Sequence, residues 1–374
     1  MLGTNITFEG VKGVGTIALE LQLDQRVYTF IGINGVGKTK TLEALFQLLL
    51  STHEKFIQFQ RLQKKSVALC FEKALDNEKI IFDTDKISTI EKYNNTLGLF
   101  SVLDIQEIPI VFLASQNRGF IQHKNQETIS YNIDSPNQRQ IKYFSKIING
   151  MNDSFTSLNM DVSTEQWFII LAQSSNPYQK AEDNREIEIK TVLKLLNQVD
   201  SSIDPTFLEI SGDGRVSLKI DNQKRELSHL STGFASILKI IQAIISGYSY
   251  FTNEQQLQNV KGIVLIDEIE SHLHIAWQAQ IIPLLKRLFP NTTFYISTHS
   301  SIVLSQLEEG EAYRLQRDAD GIVRTHLIKS PNNAAIVDVL KDAFGIDLNQ
   351  MKLERMSATQ QADAKQRLLA LINQ

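Results

Sequence analysis

Hydrophobic and polar residues alternate in three short runs near the start of the chain, at residues 6–8, 16–21 and 26–31. Alternation with a period of two is typical of β-strands. A glycine-rich loop follows the third run, and apolar residues then recur at helical spacing over residues 41–50. The pattern therefore predicts a strand, a loop and a buried helix in direct succession.

The second half of the chain alternates between strand patterns and helix patterns. A continuous apolar run such as residues 108–114 is typical of a central parallel strand. Strands and helices in repeated alternation predict a parallel sheet with covering helices. We therefore predict an α/β fold with a mixed sheet, further strands at 66–71, 79–82, 262–266, 293–297, 311–316 and 322–327, a hairpin over 206–220, and helices at 233–247, 272–289 and 301–307.

The middle of the chain differs in composition from the rest, since it is rich in Asn, Gln, Ser and Lys and carries helical patterns. An inserted, mainly helical lobe explains both features. The predicted division is a discontinuous core of residues 1–115 and 205–328, an inserted helical lobe of residues 116–204 with helices at 140–148, 164–172 and 186–199, and a short C-terminal helical segment of residues 329–374 with helices at 334–344 and 362–372.

The glycine-rich loop matches the phosphate-binding pattern G-x-x-x-x-G-K-[ST] and stands between a strand and a helix. Its glycines allow backbone N–H groups to turn toward phosphate oxygens, and the following helix adds the positive end of its dipole. Lys38 would contact the β- and γ-phosphates, and the Thr39 hydroxyl would bind Mg²⁺. We expect ATP to be bound by Asn34, Gly35, Val36, Gly37, Lys38, Thr39 and Thr41.

Two acidic residues, Asp267 and Glu268, follow the apolar strand pattern of residues 262–266. A buried parallel strand brings its last residues to the crevice where ligands bind. Asp267 would hold Mg²⁺, and Glu268 would orient or deprotonate the water that attacks the γ-phosphate. Together with the phosphate loop, this pair predicts an ATPase.

Composition sets limits on this interpretation. The 374 residues are 42% hydrophobic and 21% charged, which is the balance of a globular protein with a sizeable core. The net charge of -4 gives no global positive field toward DNA or anionic membranes. Because Cys70 is the one cysteine of the sequence, an intrachain disulfide cannot form. Because neither a secretion signal nor a membrane-spanning apolar stretch is seen, we expect a cytoplasmic protein.

A third motif, Leu230-Ser231-Thr232-Gly233, opens a predicted helix a few dozen residues before the acidic pair. It resembles the Leu-Ser-Gly-Gly-Gln signature of ABC and SMC-type ATPases, from which Thr232 and Phe234 depart. Ser231 is a good N-cap, and Gly233 would admit a phosphate at the helix N-terminus. The resemblance implies that Ser231 and Gly233 of one subunit close over the ATP held by another.

Two further residues fit this class by their position. His299 follows the predicted strand 293–297, and the resemblance implies that it contacts the γ-phosphate. Gln116 follows the apolar run at 108–114 and resembles the glutamine that contacts Mg²⁺ and couples it to the helical lobe. Gln106 and Gln122 stay open as alternatives for that glutamine.

The segment from Asp267 to His274 is similar to the Asp-Glu-Pro-Glu-x-His-Leu-His-Pro pattern of the OLD/RecF-like branch, with Ile269 and Ile275 in place of the prolines. That branch includes small bacterial ATPases of anti-phage defence modules, namely the Septu, PARIS and retron-linked ATPases. We expect no shared metal site at His272 and His274, because residues at i and i+2 of a helix point to different sides.

OLD enzymes carry a C-terminal nuclease domain, whereas the stretch after His299 holds no spaced acidic cluster for two metals. The resemblance implies a head-to-tail homodimer or a higher homo-oligomer, and the missing nuclease cluster suggests that it acts as the sensor or motor for a separately encoded effector, such as a nuclease or toxin. No membrane partner is expected.

Three alternatives stay open. They are a transporter ATPase, which the Asp-Glu-Ile-Glu and Thr-His-Ser segments disfavour, a DNA-repair ATPase of the RecF or SMC type, and a scaffold that uses ATP to hold a partner with little turnover. A nucleic-acid partner would contact basic and aromatic side chains of the lobe, although a solvated, mildly basic face is the simpler interpretation. Those side chains are Arg118, Lys124, Arg139, Lys142, Lys146, Tyr131, Tyr143 and Phe144.

Overall fold

The structure is a computed structural model built around a ten-stranded mixed sheet, with a separate three-stranded sheet beside it. It describes residues 3–63, 67–83, 105–123, 135–153, 155–175, 178, 180, 183–333, 341 and 344–355, without the side chains of 153 and 352–355. The strands are β1 Asn5–Val11, β2 Gly15–Glu20, β3 Val27–Ile31, β4 Lys73–Asp76, β5 Lys79–Asp83, β6 Ile110–Leu113, β7 Glu209–Ile210, β8 Val216–Ile220, β9 Gln223–Glu226, β10 Gly262–Ile266, β11 Thr292–Ser297, β12 Ala312–Arg317 and β13 Val323–Leu327.

The helices lie between these strands and in the middle of the chain. In the described residues, no helix is both long and apolar enough to cross a bilayer. The helices are α1 Lys38–Ser51, α2 Glu54–Gln63, α3 Pro136–Asp153, α4 Thr164–Ser174, α5 Glu186–Val199, α6 Thr232–Ser249, α7 Ile275–Gln278, α8 Ile281–Leu288, α9 Ser301–Leu304 and α10 Leu348–Arg355.

The large sheet has the strand order β5-β4-β1-β2-β13-β12-β3-β11-β10-β6. Neighbouring strands from β12 through β3, β11 and β10 to β6 run parallel. Every residue of β3, β6 and β10 is buried, as expected for parallel strands covered on both faces. The predicted α/β class and the mixed sheet are confirmed. Because β3, β11 and β10 run parallel, their carboxyl ends lie side by side at one edge of the sheet.

Two helices cover the parallel strands. Helix α1 packs against β6, β10 and β11, and its predicted apolar positions Leu42, Leu45 and Phe46 are fully buried. Helix α6 packs against β6 and α5, and all residues from Gly233 to Ser249 are buried. A helix that is buried all round belongs to the centre of a protein rather than to its surface. The core therefore lies between the parallel strands and these helices.

Two predicted elements are wrong. Residues 67–71 form no strand, because the buried amide of Gln47 accepts from the Cys70 N–H at 2.7 Å and donates to the Ala68 carbonyl at 3.2 Å, which satisfies backbone groups that a ladder would use. The predicted helix 272–289 begins only at Ile275, since His272 has a left-handed backbone with φ 67°, and it is divided into α7 and α8 at Gln280, where φ is -132°. His272 thus lies in a turn, and His274 is the N-cap of α7 with an extended backbone, so the two do not share a helix.

The middle of the chain is helical, as predicted, where α3, α4 and α5 occur between β6 and β7. The predicted hairpin is extended by β9 into the small sheet β7-β8-β9, which is separate from the large one. Most of the C-terminal segment lies outside the described residues, including most of the helix predicted at 334–344 and all of the helix predicted at 362–372. The division of the chain into core, lobe and tail stays a prediction.

Candidate nucleotide-binding site

The phosphate loop connects β3 to α1, and two of its glycines are required by geometry. A Cβ at Gly32 would lie 2.6 Å from the Leu315 carbonyl oxygen of β12, and one at Gly37 would lie 3.0 Å from Val14. Gly37 has φ 114° and stands as the N-cap of α1, a conformation that favours glycine. The loop therefore keeps its backbone close to neighbouring chain segments, while Asn34 and Gly35 at its tip are exposed.

Lys38 begins α1 and turns back into its own loop. Its Nζ donates to the carbonyl oxygens of Gly32 at 2.8 Å and Ile33 at 2.9 Å, and the residue is only 6% exposed. Burial lowers the pKa of Lys38 to about 8, although the nearby carboxylates of Glu270 and Asp267 act in the opposite direction. The cation is thus held at the loop by neutral carbonyl groups, which phosphate oxygens can replace.

The structure brings Thr39 and Asp267 together from positions 228 residues apart in the chain. The Thr39 hydroxyl donates to the two carboxylate oxygens of Asp267 at 3.0 and 3.2 Å. Ser297, at the end of β11, donates to the same carboxylate at 2.6 Å. Burial raises the pKa of Asp267, and the hydrogen bonds from Ser297 and Thr39 counteract this shift. Thr41 lies deeper, where its hydroxyl donates to the Gly37 carbonyl at 2.9 Å.

Glu268 follows in a turn with an uncommon backbone. Its φ is 46°, in the left-handed region that L-residues rarely adopt. Its N–H donates to the Ser297 hydroxyl at 2.8 Å, and its half-buried carboxylate accepts from the Ser271 hydroxyl at 3.1 Å. Ser297 therefore connects both acids, since it accepts from Glu268 and donates to Asp267.

His299 lies beyond the end of β11 and is held by Glu270. The two carboxylate oxygens of Glu270 accept from the backbone N–H of His299 and from the Thr298 hydroxyl, each at 2.6 Å. Burial lowers the pKa of His299, and the positive charge of Lys38 lowers it further. The imidazole is therefore neutral at pH 7 and able to donate a hydrogen bond to an anion.

Ser231 caps α6, and its side chain accepts from the Phe234 N–H at 3.4 Å. Ser231 and Thr232 are exposed, whereas Gly233 is buried, and a Cβ there would lie 3.3 Å from Trp277. Among the described residues, the hydrogen bonds of Ser231 stay within its own helix. The N-terminus of α6 is therefore an open helix end next to the segment that follows Glu268.

The candidate glutamines differ in their surroundings. Gln106 donates from its amide to the Leu49 carbonyl at 2.9 Å and to the Thr52 hydroxyl at 3.1 Å, so it serves the end of α1. Gln122 lines a cavity of about 280 Å³ at the helical segment. Gln116 is exposed three residues beyond β6, on the sheet edge that carries the acids. Its assignment stays a prediction that this position favours.

The basic and aromatic side chains that a nucleic-acid partner would contact do not form one exposed face in the described residues. Arg118 is 0% exposed and Arg139 is 6% exposed, while Tyr143 and Phe144 belong to the core. Lys142 and Lys146 are exposed, whereas Lys124 and Tyr131 lie outside the described residues. Most of the alternation of basic and aromatic residues therefore reflects the buried face of α3 and its surroundings.

Three residues were not predicted to lie around the acids, namely Glu270, Ser297 and Arg118, the last of which was a candidate only for nucleic-acid contact. Glu270 and Ser297 stand inside the motifs that mark the site, so their proximity to Asp267 and His299 was the available signal. Arg118 donates to the carbonyl oxygens of Asp267 and Glu268. Nothing in its local sequence distinguishes a buried arginine from an exposed one.

The residues present fit a bound Mg²⁺. This cation prefers oxygen ligands, which the Thr39 hydroxyl and the Asp267 carboxylate supply side by side. Within the described ranges, no group of three or more His, Cys, Asp or Glu residues could hold a metal by itself. Further ligands would therefore come from phosphate oxygens and water, as is usual for Mg²⁺ in nucleotide sites.

Comparison with known proteins places the chain in a family. A family profile described as "AAA domain, putative AbiEii toxin, Type IV TA system" matches residues 27–305. The Septu protein PtuA of Bacillus thuringiensis is 24% identical over 359 residues, which cover 90% of this chain and 83% of that protein. The Retron Vc95 probable ATPase of Vibrio cholerae serotype O1 biovar El Tor is 33% identical over 141 residues, which cover 36% of this chain and 27% of that protein.

Solved structures are similar at low identity. The crystal structure of the SmcHead bound to the C-winged helix domain of ScpA has a TM-score of 0.45 and 10% identity, with 88% of this chain and 98% of that chain covered. The family profile itself spans the phosphate loop, the helix that begins at Thr232 and the acidic end of β10. The predicted resemblance to Septu and retron-linked proteins is confirmed, and the chain belongs to this AAA domain family.

Proposed function

We propose that this chain binds ATP with Mg²⁺, hydrolyses it to ADP and phosphate, and completes each nucleotide site with a second copy of itself. The observation that carries the proposal is the 3.0 Å contact of the Thr39 hydroxyl with the Asp267 carboxylate, directly beside Lys38 and its loop. When bound, Mg²⁺ would neutralise charge on the phosphates.

The chain's own residues would divide the work around the γ-phosphate. Lys38 exchanges the carbonyl oxygens of Gly32 and Ile33 for phosphate oxygens. Glu268, which is half-buried at the mouth of the site, orients the attacking water and accepts its proton. His299, which lies beyond the end of β11, donates a hydrogen bond from its imidazole to the γ-phosphate. Gln116 responds to bound nucleotide from its position between β6 and the helical segment that contains α3, α4 and α5.

The second copy is proposed because the signature helix α6 offers an open N-terminus. Ser231 is exposed, and its hydrogen bonds in the described structure lie within α6. Backbone N–H groups and the helix dipole at such an end attract an anion. In a head-to-tail dimer with two-fold symmetry, Ser231 and Gly233 of each chain would close over the ATP of the other.

We further propose that the protein acts in the bacterial cytoplasm as the sensor or motor of an anti-phage defence system and controls a separately encoded effector. The similarity to a Septu protein and to a retron ATPase supports this role. The similarity covers 27% of the retron relative, so the partners of that protein are not assigned to this chain. A nucleic-acid partner stays an alternative, since Arg118 and Arg139 are buried whereas Lys142 and Lys146 are exposed.

ATP hydrolysis and dimerisation of a Glu268 variant test the proposed nucleotide site. Replacement of Glu268 by Gln keeps the side chain but removes the base, so ATP hydrolysis should fall by about 10²- to 10⁴-fold while ATP binding persists. In the presence of ATP and Mg²⁺, Glu268→Gln should sediment as a dimer. Glu209→Gln, an exposed acid on β7, is the control and should match the wild type. A Glu268→Gln protein that stays monomeric with ATP would refute the shared site.

A cap-preserving substitution tests the signature helix. Asp is as good an N-cap as Ser, so Ser231→Asp retains α6 but places a negative charge where the partner's triphosphate would lie. The variant should bind ATP normally, yet lose dimerisation in the Glu268→Gln background. Ser163→Asp makes the same change at the N-cap of α4 and should dimerise. Dimerisation by Ser231→Asp would mean that α6 contacts no phosphate.

Phage plating tests the biological role. Cells with the complete locus should resist phage, and cells with Lys38→Met in this chain should not, because the chain cannot then hold triphosphate. Glu209→Gln should preserve resistance. Full protection by the Lys38→Met variant would separate defence from ATP binding and would favour the scaffold alternative.

A further inference from the structure

Arg118 lies in the segment after β6, where that segment contacts the acidic turn, residues 267–270. Its side chain is fully buried, at 0% exposure. Nη2 donates to the carbonyl oxygen of Asp267 and, at 3.1 Å, to that of Glu268. Nε and Nη1 have no partner among the described residues. An arginine that is buried this deeply and bonded to two successive carbonyls acts on the backbone of the turn.

The turn that Arg118 contacts needs such a restraint. Glu268 has φ 46°, and a left-handed L-residue is retained only where its surroundings hold it. Two carbonyl groups that point to one guanidinium fix the orientation of the peptide on each side of Glu268. The carboxylates of Asp267, Glu270 and Glu268 lie near enough to favour the cation, although burial lowers the pKa of Arg118 to about 10. Arg118 is therefore charged at pH 7.

The neighbours of Arg118 bind the same segment to other parts of the molecule. A Cβ at Gly119 would lie 2.5 Å from the His272 ring, and Phe120 contacts that ring edge-on with centroids 5.8 Å apart. Asn117 bonds to Asp161 at 2.6 Å, in the segment that leads into α4. Lys239 of α6 also donates to the Asn117 carbonyl oxygen. The segment of residues 117–120 thus connects the acidic turn to α6 and to the helical part.

We propose that Arg118 is a positioning residue for Glu268, which it holds in the left-handed turn so that the carboxylate faces the attacking water. The inference rests on the proposed ATP hydrolysis and adds to it the residue that sets the geometry of the base. It also gives the helical part a route to the reaction, because displacement of residues 117–120 moves Arg118 and releases the turn.

Steady-state kinetics test the proposal. Arg118→Met preserves length and apolar volume but removes both hydrogen bonds, so kcat should fall by roughly 10- to 100-fold while the Kd for ATP stays unchanged. Arg118→Lys retains the charge and should recover part of kcat. Arg225→Met, an exposed arginine of β9, is the matched control and should behave as the wild type. Equal kcat in Arg118→Met and wild type would overturn the proposal.

A double-mutant cycle separates positioning from general damage. If Arg118 acts through Glu268, Arg118→Met should lower the residual turnover of Glu268→Gln no further, because the base is already absent. Equal fold losses in the two backgrounds would show that Arg118 acts independently of Glu268 and would reject the proposal.

Hydrogen–deuterium exchange without nucleotide tests the turn itself. The N–H groups of Ser271 and Leu273 donate to the carbonyl oxygens of Glu268 and Glu270, each at 2.9 Å. Both should exchange faster in Arg118→Met than in the wild type, whereas β13 should not change. Unchanged exchange would overturn the inference even if the wild type hydrolysed no ATP. Conversely, an inactive wild type with faster exchange in Arg118→Met would defeat only the proposed function.

Discussion

The contacts of Glu270 lead to a quantitative prediction about stability. Its carboxylate accepts from the His299 N–H and the Thr298 hydroxyl, both at 2.6 Å, and so joins the end of β11 to the acidic turn. Glu270→Gln can keep both bonds, because the amide oxygen accepts from His299 and the amide N–H₂ donates to Thr298. Glu270→Ala removes both bonds and leaves the His299 N–H without an acceptor.

The expected magnitudes follow from the charge of the acceptor. A hydrogen bond to a charged group contributes about 1.5–3 kcal/mol, against about 0.5–1.5 kcal/mol for a neutral one. Loss of the charge in Glu270→Gln should therefore lower the free energy of unfolding by about 2 kcal/mol. Glu270→Ala should lower it by about 4 kcal/mol, because both bonds to the half-buried carboxylate are lost.

Urea unfolding followed by circular dichroism measures these differences. Glu209→Gln is the matched control, since Glu209 forms an exposed ion pair with Lys224, and such pairs contribute at most about 1 kcal/mol. The order of stability should be wild type and Glu209→Gln, then Glu270→Gln, then Glu270→Ala. Equal losses for the Gln and Ala variants would refute the assigned hydrogen bonds, and an Ala variant as stable as the control would show that Glu270 joins nothing.

Three further predictions concern the loop, the titration of its lysine and the core. Burial lowers the pKa of Lys38 to about 8, and bound phosphates would raise it. ATP binding should therefore take up a proton, and the affinity for ATP should weaken as the pH rises above about 8. Calorimetry in buffers of different ionisation enthalpy measures the proton uptake, and a pH-independent Kd would contradict the prediction. Gly32→Ala should abolish binding of a fluorescent ATP analogue, because its Cβ would lie 2.6 Å from a backbone carbonyl oxygen; Gly212→Ala, with open space around it, should bind normally. Tyr248→Phe should cost about 1 kcal/mol in urea unfolding, since it removes a buried 2.7 Å bond to Thr292, and no loss would count against that bond.

Local patterns predicted the elements whose contacts follow their own periodicity. The strand at residues 262–266 and the helix at 186–199 have the predicted bounds in the structure. The strand predicted at 66–71 is absent because a single buried amide, that of Gln47, captures its backbone from 23 positions away. Nothing in the sequence of residues 66–71 predicts that contact with Gln47. The same limit applies to the turn at His272, which packs on Gly119.

The candidate site divides in the same way. Lys38, Thr39 and Asp267 could be predicted because their spacing along strand, loop and helix prescribes where they meet, and the 3.0 Å contact agrees with that expectation. Arg118 could not be placed, since its role depends on the carbonyl groups of residues 149 and 150 positions away. The residues predicted to bind ligand belong to sequence motifs, whereas a contact such as that of Arg118 is visible only in three dimensions.

Helix α6 has a mechanical consequence. It runs for 18 residues, about 27 Å, from the exposed Ser231 to its C-cap Tyr250, on which the Tyr143 ring stacks at 4.5 Å. Its buried surroundings are close-packed and leave little room for it to bend. A displacement of the Ser231 end would therefore be transmitted along the helix axis rather than absorbed by bending. Arrival of a neighbouring subunit at one end would be felt within α3 at the other.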